Sequence, residues 1–187
     1  MDLFEAVERR RSIRKFKPDA VDPRDLNKIL EAGLLAPSGS NRQPWHFIVV
    51  RDPEKKGALS RAARNQKSVA EADTVIVALG DPTARPKPHL RLWSVGHTTS
   101  RTRIPHRQDP MIAVEHMVLA ATALGYGSCW IGAYDENEVK QILKVPEKLE
   151  VIVLLPIGVP DENPHPPPRK AFTEVFSKEL HGIPLKL

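Results

Sequence analysis

Two long apolar runs limit the folds that are open to this chain. Residues 74–79 are apolar after Thr74 and are followed by a Gly-Asp-Pro turn signal, which predicts a buried strand. Residues 151–159 predict a second long strand, and Pro156 inside it indicates a sheet edge or a bulge because proline donates no backbone hydrogen bond. A chain of 187 residues that is 41% hydrophobic can bury one substantial core, so a single domain is expected.

Aspartates ahead of periodic segments predict where the helices begin. Asp2 with Glu5, and Asp135 with Glu138, form capping boxes. Three further helices are expected to begin at the Asp-Pro pairs 22–23, 52–53 and 109–110, the last one leading a buried helix over residues 111–124. This alternation of helices and strands would suit a doubly wound parallel sheet, but no glycine-rich dinucleotide or phosphate loop accompanies the strands.

Residues 83–108 interrupt this pattern. They hold six Lys and Arg and three His, with few apolar residues and no helix or strand period. We interpret the segment as a variable lid, with disorder or a locally shifted reading frame as alternatives. The spacing of His89, His97 and His106 matches no compact zinc pattern, and no second thiolate is present, so no metal site is predicted.

The net charge and the cysteine content indicate which partners and which cellular compartment suit this protein. The net charge of +5 is modest and suits a phosphorylated small molecule without requiring a nucleic-acid surface. Cys129 is the single cysteine, which excludes an intramolecular disulfide and fits a reducing compartment. The N-terminus has no signal-peptide pattern, and no run of about 18 apolar residues occurs. A soluble cytoplasmic protein without membrane or nucleic-acid partners is expected.

A cationic motif follows the first predicted helix. Residues 9–16 read Arg-Arg-Arg-Ser-Ile-Arg-Lys-Phe. Guanidinium groups match phosphate oxygens bidentately and a serine hydroxyl adds a donor, so this motif predicts a phosphate site. The alternatives are a solvated face or a loose nucleic-acid patch, which are the usual roles of charge runs.

An amide-rich loop precedes the first predicted strand. Residues 37–47 read Pro-Ser-Gly-Ser-Asn-Arg-Gln-Pro-Trp-His-Phe and run into the apolar residues 48–50. Ser, Asn and Gln offer both donors and acceptors, and the two prolines lower the entropic cost of ordering the loop. The loop therefore predicts a ligand site, although an ordinary helix-to-strand connection has a similar composition.

Together these motifs resemble the nitroreductase family of FMN-dependent oxidoreductases. The resemblance rests on the patterns R-R-S-x-R-x-F over residues 10–16 and A-P-S-x-x-N-x-Q-P-W-x-F over residues 36–47. It extends to residues 120–135 and, more faintly, to Arg169. The family fold is an α+β sandwich in which a mostly antiparallel sheet is covered by helices, in an intertwined homodimer. Residues 1–187 would then form one nitroreductase-like domain, with residues 83–108 as the variable lid.

The resemblance also implies a cofactor site. Arg10, Ser12 and Arg14 would hold the FMN phosphate or the nearby ring edge, with Arg14 or a neighbour as the cation near N1 and O2. Arg11 would contribute through its backbone or side chain, and Arg169 would close the phosphate site, whereas Pro167 stands where the family often has a lysine. The flavin ring would meet Asn65 and the turn of Trp130, Ile131, Gly132 and Ala133, with a backbone N–H near Gly132 or Ala133 toward N5. The residues that would reach the flavin from the neighbouring subunit are Pro37, Ser38, Ser40, Asn41 and Gln43.

The activity implied is hydride transfer from NADH or NADPH through FMN to a nitroaromatic, a quinone or a similar acceptor by a ping-pong scheme. No catalytic side chain is required, and Cys129 is interpreted as a packed thiol. The two FMN sites would lie at the homodimer interface, with residues 171–176 as an arm around the partner. The alternatives are a specialised branch, such as a reductive dehalogenase or a flavin-destroying enzyme, and a non-enzymatic basic module that binds anions or nucleic acid.

Overall fold

The computed structural model of the protein describes residues 1–84 and 105–185. Its helices are α1 (Leu3–Arg9), α2 (Pro23–Leu34), α3 (Pro53–Ala62), α4 (Lys67–Glu71), α5 (Pro105–Ala123), α6 (Glu136–Leu143) and α7 (Phe172–Val175). Its strands are β1 (Trp45–Val50), β2 (Thr74–Gly80), β3 (Gly127–Ser128) and β4 (Glu150–Gly158), and a 3₁₀ turn covers Gly39–Asn41. Residues 85–104, which include most of the predicted lid, lie outside the described residues.

The strands form one antiparallel sheet in the order β1-β2-β4-β3. Trp45 pairs with Gly80 at one end of the β1–β2 ladder and Val50 pairs with Val75 at the other. The register between β2 and β4 shifts after Ala78, so that β4 carries a bulge opposite this point. The antiparallel sheet confirms the predicted α+β class and excludes the doubly wound alternative.

Two apolar layers cover the two faces of the sheet, because successive side chains of a strand point to opposite faces. On one face, Val75 and Val77 pack with residues of α3 and α6 such as Leu59 and Val139. On the other face, Ile76 packs with residues of α2 and α5. All seven residues of β2 are buried, as its continuous apolar sequence predicted. The sheet is therefore the middle layer of a three-layer sandwich.

The local helix signals are confirmed at four N-termini. The side chains of Asp2, Asp22, Asp52 and Asp135 each accept a hydrogen bond from a backbone N–H two or three residues onward. Among the described residues, no helix is both long enough and apolar enough to cross a membrane.

The helix start predicted at Asp109-Pro110 is wrong, and so is the assignment of residues 105–108 to a loop. Helix α5 already begins at Pro105, and Pro110 lies inside it. Asp109 is only 2% exposed, and its carboxylate accepts the backbone N–H of Gly39 from a distant loop rather than an N–H of its own helix. Asp109 thus has the sequence context of a helix cap, but its carboxylate makes a contact between distant segments.

The prediction of a sheet edge at Pro156 is also wrong. Strand β4 lies between β2 and β3, with Pro156 opposite Val75. The carbonyl of Pro156 accepts the N–H of Cys129, one residue beyond the end of β3. Since the nitrogen and the carbonyl of a strand residue point to the same side, the nitrogen of Pro156 faces Cys129, where the ladder is interrupted between β3 and the bridge of Ile131 with Leu154. An internal strand therefore tolerates this proline.

Candidate functional site

The cationic motif is fixed to the sheet by its apolar residues. Ile13 and Phe16 are buried, whereas Arg14 and Lys15 between them are exposed. The N–H of Ile13 donates to the carbonyl of Ser128 at 2.9 Å, and Ser12 bridges Ser128 in parallel. A Cβ at Gly127 would lie 2.7 Å from Cγ1 of Ile13, so only glycine gives this segment room to pack against β3. The alternation of buried and exposed residues therefore presents the cations outward.

The chain that follows β4 is tied to the same motif. The carboxylate of Glu162 accepts the N–H of Arg14 at 2.5 Å and that of Lys15 at 3.2 Å. The N–H of Asp161 donates to the carbonyl of Lys15 at 3.0 Å. The segment that follows β4 thus lies beside the cationic motif, and the residues after Glu162 start from a fixed point.

A cavity of about 360 Å³ lies between these two segments. It is lined by Arg10, Arg11, Ser12, Arg14, Pro164, His165, Pro167 and Arg169. The structure therefore brings together all four arginines and the serine that the sequence assigned to the FMN phosphate and the nearby ring edge. We call this space the basic cavity.

The guanidinium of Arg11 has a second role. Its Nη1 donates to the carbonyl of Glu8 at 2.6 Å and to that of Arg10 at 2.7 Å, at the C-terminal end of α1. These carbonyls lack helical partners, so a cation is favourable there. Nη1 of Arg11 consequently already donates to two protein carbonyls and has no further hydrogen to offer an anion.

The amide-rich loop is ordered by its own polar groups. The N–H of Gln43 donates to Oγ of Ser38 at 2.9 Å, and Nε2 of Gln43 donates to Oδ1 of Asn41 at 2.9 Å. Ser40, Asn41 and Gln43 all have positive φ, near 50°, a backbone conformation that residues other than glycine seldom adopt. Such strain persists where surrounding contacts enforce it, and it is frequent at ligand sites. The contact of Gly39 with buried Asp109 is one of the contacts that hold the loop.

Within one chain the structure does not bring this loop to the basic cavity. None of the described residues 37–43 lines that cavity. Pro37, Ser40, Asn41 and Gln43 are exposed, and Ser38 is half-buried. The placement of this loop at a flavin held by the neighbouring subunit stays a prediction.

The third group of predicted residues surrounds the turn after β3. Ile131 bridges Leu154 of β4, and Nε1 of Trp130 donates to Oε2 of Glu115 at 3.2 Å. Gly132 and Ala133 are exposed, and a Cβ built on Gly132 would meet no atom within 4 Å. This backbone is therefore accessible to a ligand.

Asn65 lies beside that turn. It is exposed with φ of 58°, and the next residue, Gln66, donates from Nε2 to the carbonyl of Ala133 at 3.2 Å and to that of Ala63 at 3.0 Å. Sequence reasoning missed Gln66, as well as Glu115, which holds Trp130. No local signal marks either residue, because their partners are 67 and 15 residues away.

Two other candidate groups have structural roles. Cys129 is buried in the core, and burial raises the pKa of its thiol, which fits the interpretation as a packed residue. His106 lies 3.2 Å from Oε1 of Glu150, whose other oxygen accepts Nε of Arg107. The Arg107 hydrogen bond is the main cause that lowers the pKa of Glu150. Across residues 1–84 and 105–185, no group of three or more His, Cys, Asp or Glu side chains is placed to hold a metal ion.

Comparison with known proteins gives one consistent result. The sequence model of the Nitroreductase family matches residues 7–159. A putative NADH dehydrogenase/NAD(P)H nitroreductase of Archaeoglobus fulgidus is 34% identical over 166 residues, which is 87% of each chain. A nitroreductase family protein from Clostridium novyi NT superposes with a TM-score of 0.76 at 32% identity, covering 98% of this chain and 97% of that one. The NADPH:FMN oxidoreductase from Vibrio harveyi, solved with NAD⁺, has a TM-score of 0.80 at 27% identity and covers 97% and 79%.

Proposed function

Since the chain belongs to the nitroreductase family, we propose that it reduces a nitroaromatic, a quinone or a similar acceptor with electrons from NAD(P)H in a ping-pong scheme. The protein is an enzyme, an NAD(P)H oxidoreductase that depends on FMN. When bound, FMN accepts a hydride from the nicotinamide and delivers it to the second substrate. The observation that carries the proposal is the basic cavity, in which four arginines and Ser12 face one space.

The residues of the basic cavity fit an FMN phosphate. The phosphate monoester carries close to two negative charges near neutral pH and offers several acceptor oxygens. Arg10, Arg14 and Arg169 supply fixed positive charge, and the hydroxyl of Ser12 supplies a further donor. A non-enzymatic anion-binding module would need nothing more, but it would leave the similarity to oxidoreductases over residues 7–159 unexplained.

The turn after β3 would serve the flavin ring. Gly132 leaves space for an aromatic ring to approach the backbone, and the contacts of Trp130 with Glu115 and of Ala133 with Gln66 fix the turn on either side. Backbone N–H groups held in this way stabilise negative charge that develops during reduction, because they need no reorganisation. Asn65 offers a donor and an acceptor to the polar edge of the ring.

The exposed apolar residues support a homodimer. Phe4 of α1 is 84% exposed and Leu35, which follows α2, is 82% exposed. Between α1, α2 and α5 lies an apolar groove of about 440 Å³. Phe172 and Phe176 stack on each other at 4.4 Å in an arm whose residues are all exposed. Exposed apolar area of this kind marks protein interfaces, and a second copy would also bring the amide-rich loop to the flavin.

The absorption spectrum of the purified protein tests the function. We expect a yellow protein that releases FMN on denaturation and that is bleached by NADH or NADPH without oxygen. Reoxidation by a quinone or a nitroaromatic, with parallel lines in double-reciprocal plots, is expected from the ping-pong scheme. A colourless protein that does not take up added FMN would contradict the proposal.

Substitution of Gly132 tests flavin binding independently of the stability of the fold. Because a Cβ at this position meets no atom within 4 Å, Gly132→Val is expected to leave the melting temperature within a few degrees of the native value. The new side chain would occupy the space proposed for the ring, so roughly a 10-fold or larger loss in FMN affinity or in kcat/KM is expected. Thermal unfolding of the flavin-free protein and flavin titration measure the two effects. Native activity in a folded variant would place the ring elsewhere.

A further inference from the structure

We propose that His165 is a ligand of the phosphate in the basic cavity and that its positive charge makes anion binding there stronger as the pH falls. The inference rests on the proposed function, because FMN is taken as the phosphate carrier. It concerns a residue that the sequence motifs did not include.

The position of His165 is the first support. It lines the same cavity as Arg10, Arg14 and Arg169, on the segment without regular secondary structure that also carries Arg169. Pro167 lines the cavity as well but offers neither a charge nor a donor. Among the described residues that line the cavity, His165 is thus the one titratable residue that is not an arginine, and its ring nitrogens can donate to phosphate oxygens.

The stiffness of the segment is the second support. Pro164 and the three prolines at 166–168 flank His165, and each fixes its own φ near −65°. The segment starts from Glu162, whose carboxylate is bonded to the N–H groups of Arg14 and Lys15. Because little backbone entropy remains to be lost, an exposed imidazole here can bind an anion at lower cost than one on a free loop.

The charges around the cavity give the sign of the pH effect. The groups that face it are the guanidiniums of Arg10, Arg11, Arg14 and Arg169, and the nearest carboxylate on the same segment is that of Glu162. A free imidazole changes its charge near pH 6.5, and an anion bound beside an imidazole favours the charged form. Binding of a phosphate is therefore linked to uptake of a proton, and the contribution of His165 grows as the pH decreases.

The negative charge of the phosphate decreases as the pH falls, which opposes the effect of His165 and decides the design of the test. A phosphate monoester loses its second negative charge near pH 6, and this weakens its binding to arginines at low pH. The contribution of His165 must accordingly be measured as the difference between the native protein and variants at this position, with the same ligand at each pH.

The experiment compares FMN dissociation constants, from flavin fluorescence, at about pH 8 and about pH 6 for the native protein and for His165→Gln. The ratio of the constants at the two pH values is expected to change roughly 3- to 10-fold on substitution, since glutamine cannot be charged. His165→Lys keeps a charge at both pH values, so it should bind FMN more tightly than the native protein at about pH 8. His181→Gln, an exposed histidine that does not line the cavity, should behave as the native protein does.

Two further probes separate this inference from the proposed function. Riboflavin, which has no phosphate, should bind with the same pH dependence to the native protein and to His165→Gln. Inorganic phosphate, added to flavin-free protein, should shift the NMR signals of the His165 ring and raise its protonated fraction. If FMN binds but the pH ratio is unchanged in His165→Gln, the inference is overturned while the function stands. If no flavin binds but phosphate shifts the His165 signals, the function fails and the role of His165 in anion binding is supported.

Discussion

The double variant Arg10→Ala, Arg169→Ala is expected to be purified without its yellow colour. The two arginines approach the basic cavity from opposite ends of the chain, one before Ser12 and the other after the proline-rich segment. A hydrogen bond between a guanidinium and a phosphate contributes about 1.5–3 kcal/mol, and Arg169 is exposed, which lowers its share. Together the substitutions should raise the dissociation constant for FMN by roughly 100-fold or more.

The measurement is the FMN content after gel filtration, followed by titration of the flavin-free protein with FMN and with riboflavin. Riboflavin affinity should change little, because the lost contacts are to the phosphate. The matched control is Arg24→Ala, Lys148→Ala, which removes two exposed cations outside the basic cavity and leaves the same net charge. Unchanged FMN content in the Arg10, Arg169 variant would reject the assignment of these side chains.

Gly127→Val is expected to damage both stability and cofactor binding. Even a single added carbon would lie 2.7 Å from Cγ1 of Ile13, and valine adds two more. Overpacking of this kind costs about 1–3 kcal/mol. Ile13 must move to relieve the clash. The hydrogen bond from the N–H of Ile13 to the carbonyl of Ser128, which orients the cationic motif, would then be lost. We expect a lower midpoint in urea and weaker FMN binding in the variant that still folds.

Gly57→Ala is the control for the glycine substitution. Gly57 lies inside α3, and the nearest atom to an added Cβ is the Arg61 side chain at 3.8 Å, so alanine fits. Its better helix propensity should stabilise the protein by about 0.5–1 kcal/mol. If Gly127→Val unfolds at the same urea concentration as the native protein and retains FMN, the cationic motif does not depend on close packing against β3.

The features that the sequence predicted well are those set by near neighbours in the chain. The caps at Asp2, Asp22, Asp52 and Asp135 were predictable because each carboxylate accepts an N–H two or three residues onward. The strand β2 was predictable because both of its faces are buried, which leaves an unbroken apolar run. The arginines of the basic cavity were proposed from the chemistry of residues 9–16 and from the resemblance to a family motif, and the structure places them along one cavity.

The features that escaped prediction depend on contacts between distant segments. Asp109 has a perfect local capping sequence, yet its partner Gly39 is 70 residues away. The hydrogen bonds from Arg14 and Lys15 to Glu162 span almost 150 residues, and no sequence pattern in either segment predicts them. Histidine is not part of the phosphate motif recognised in the sequence, so His165 became a candidate only through its position on the lining of the cavity.

The joining of two distant segments at one cavity has a consequence for synthesis in the cell. Arg10 and Arg14 are translated long before Arg169. The cavity therefore lacks one of its arginines until Arg169 has been made, since domains acquire long-range contacts as their later segments emerge. Nascent chains that stop short of Arg169 would carry an incomplete basic cavity.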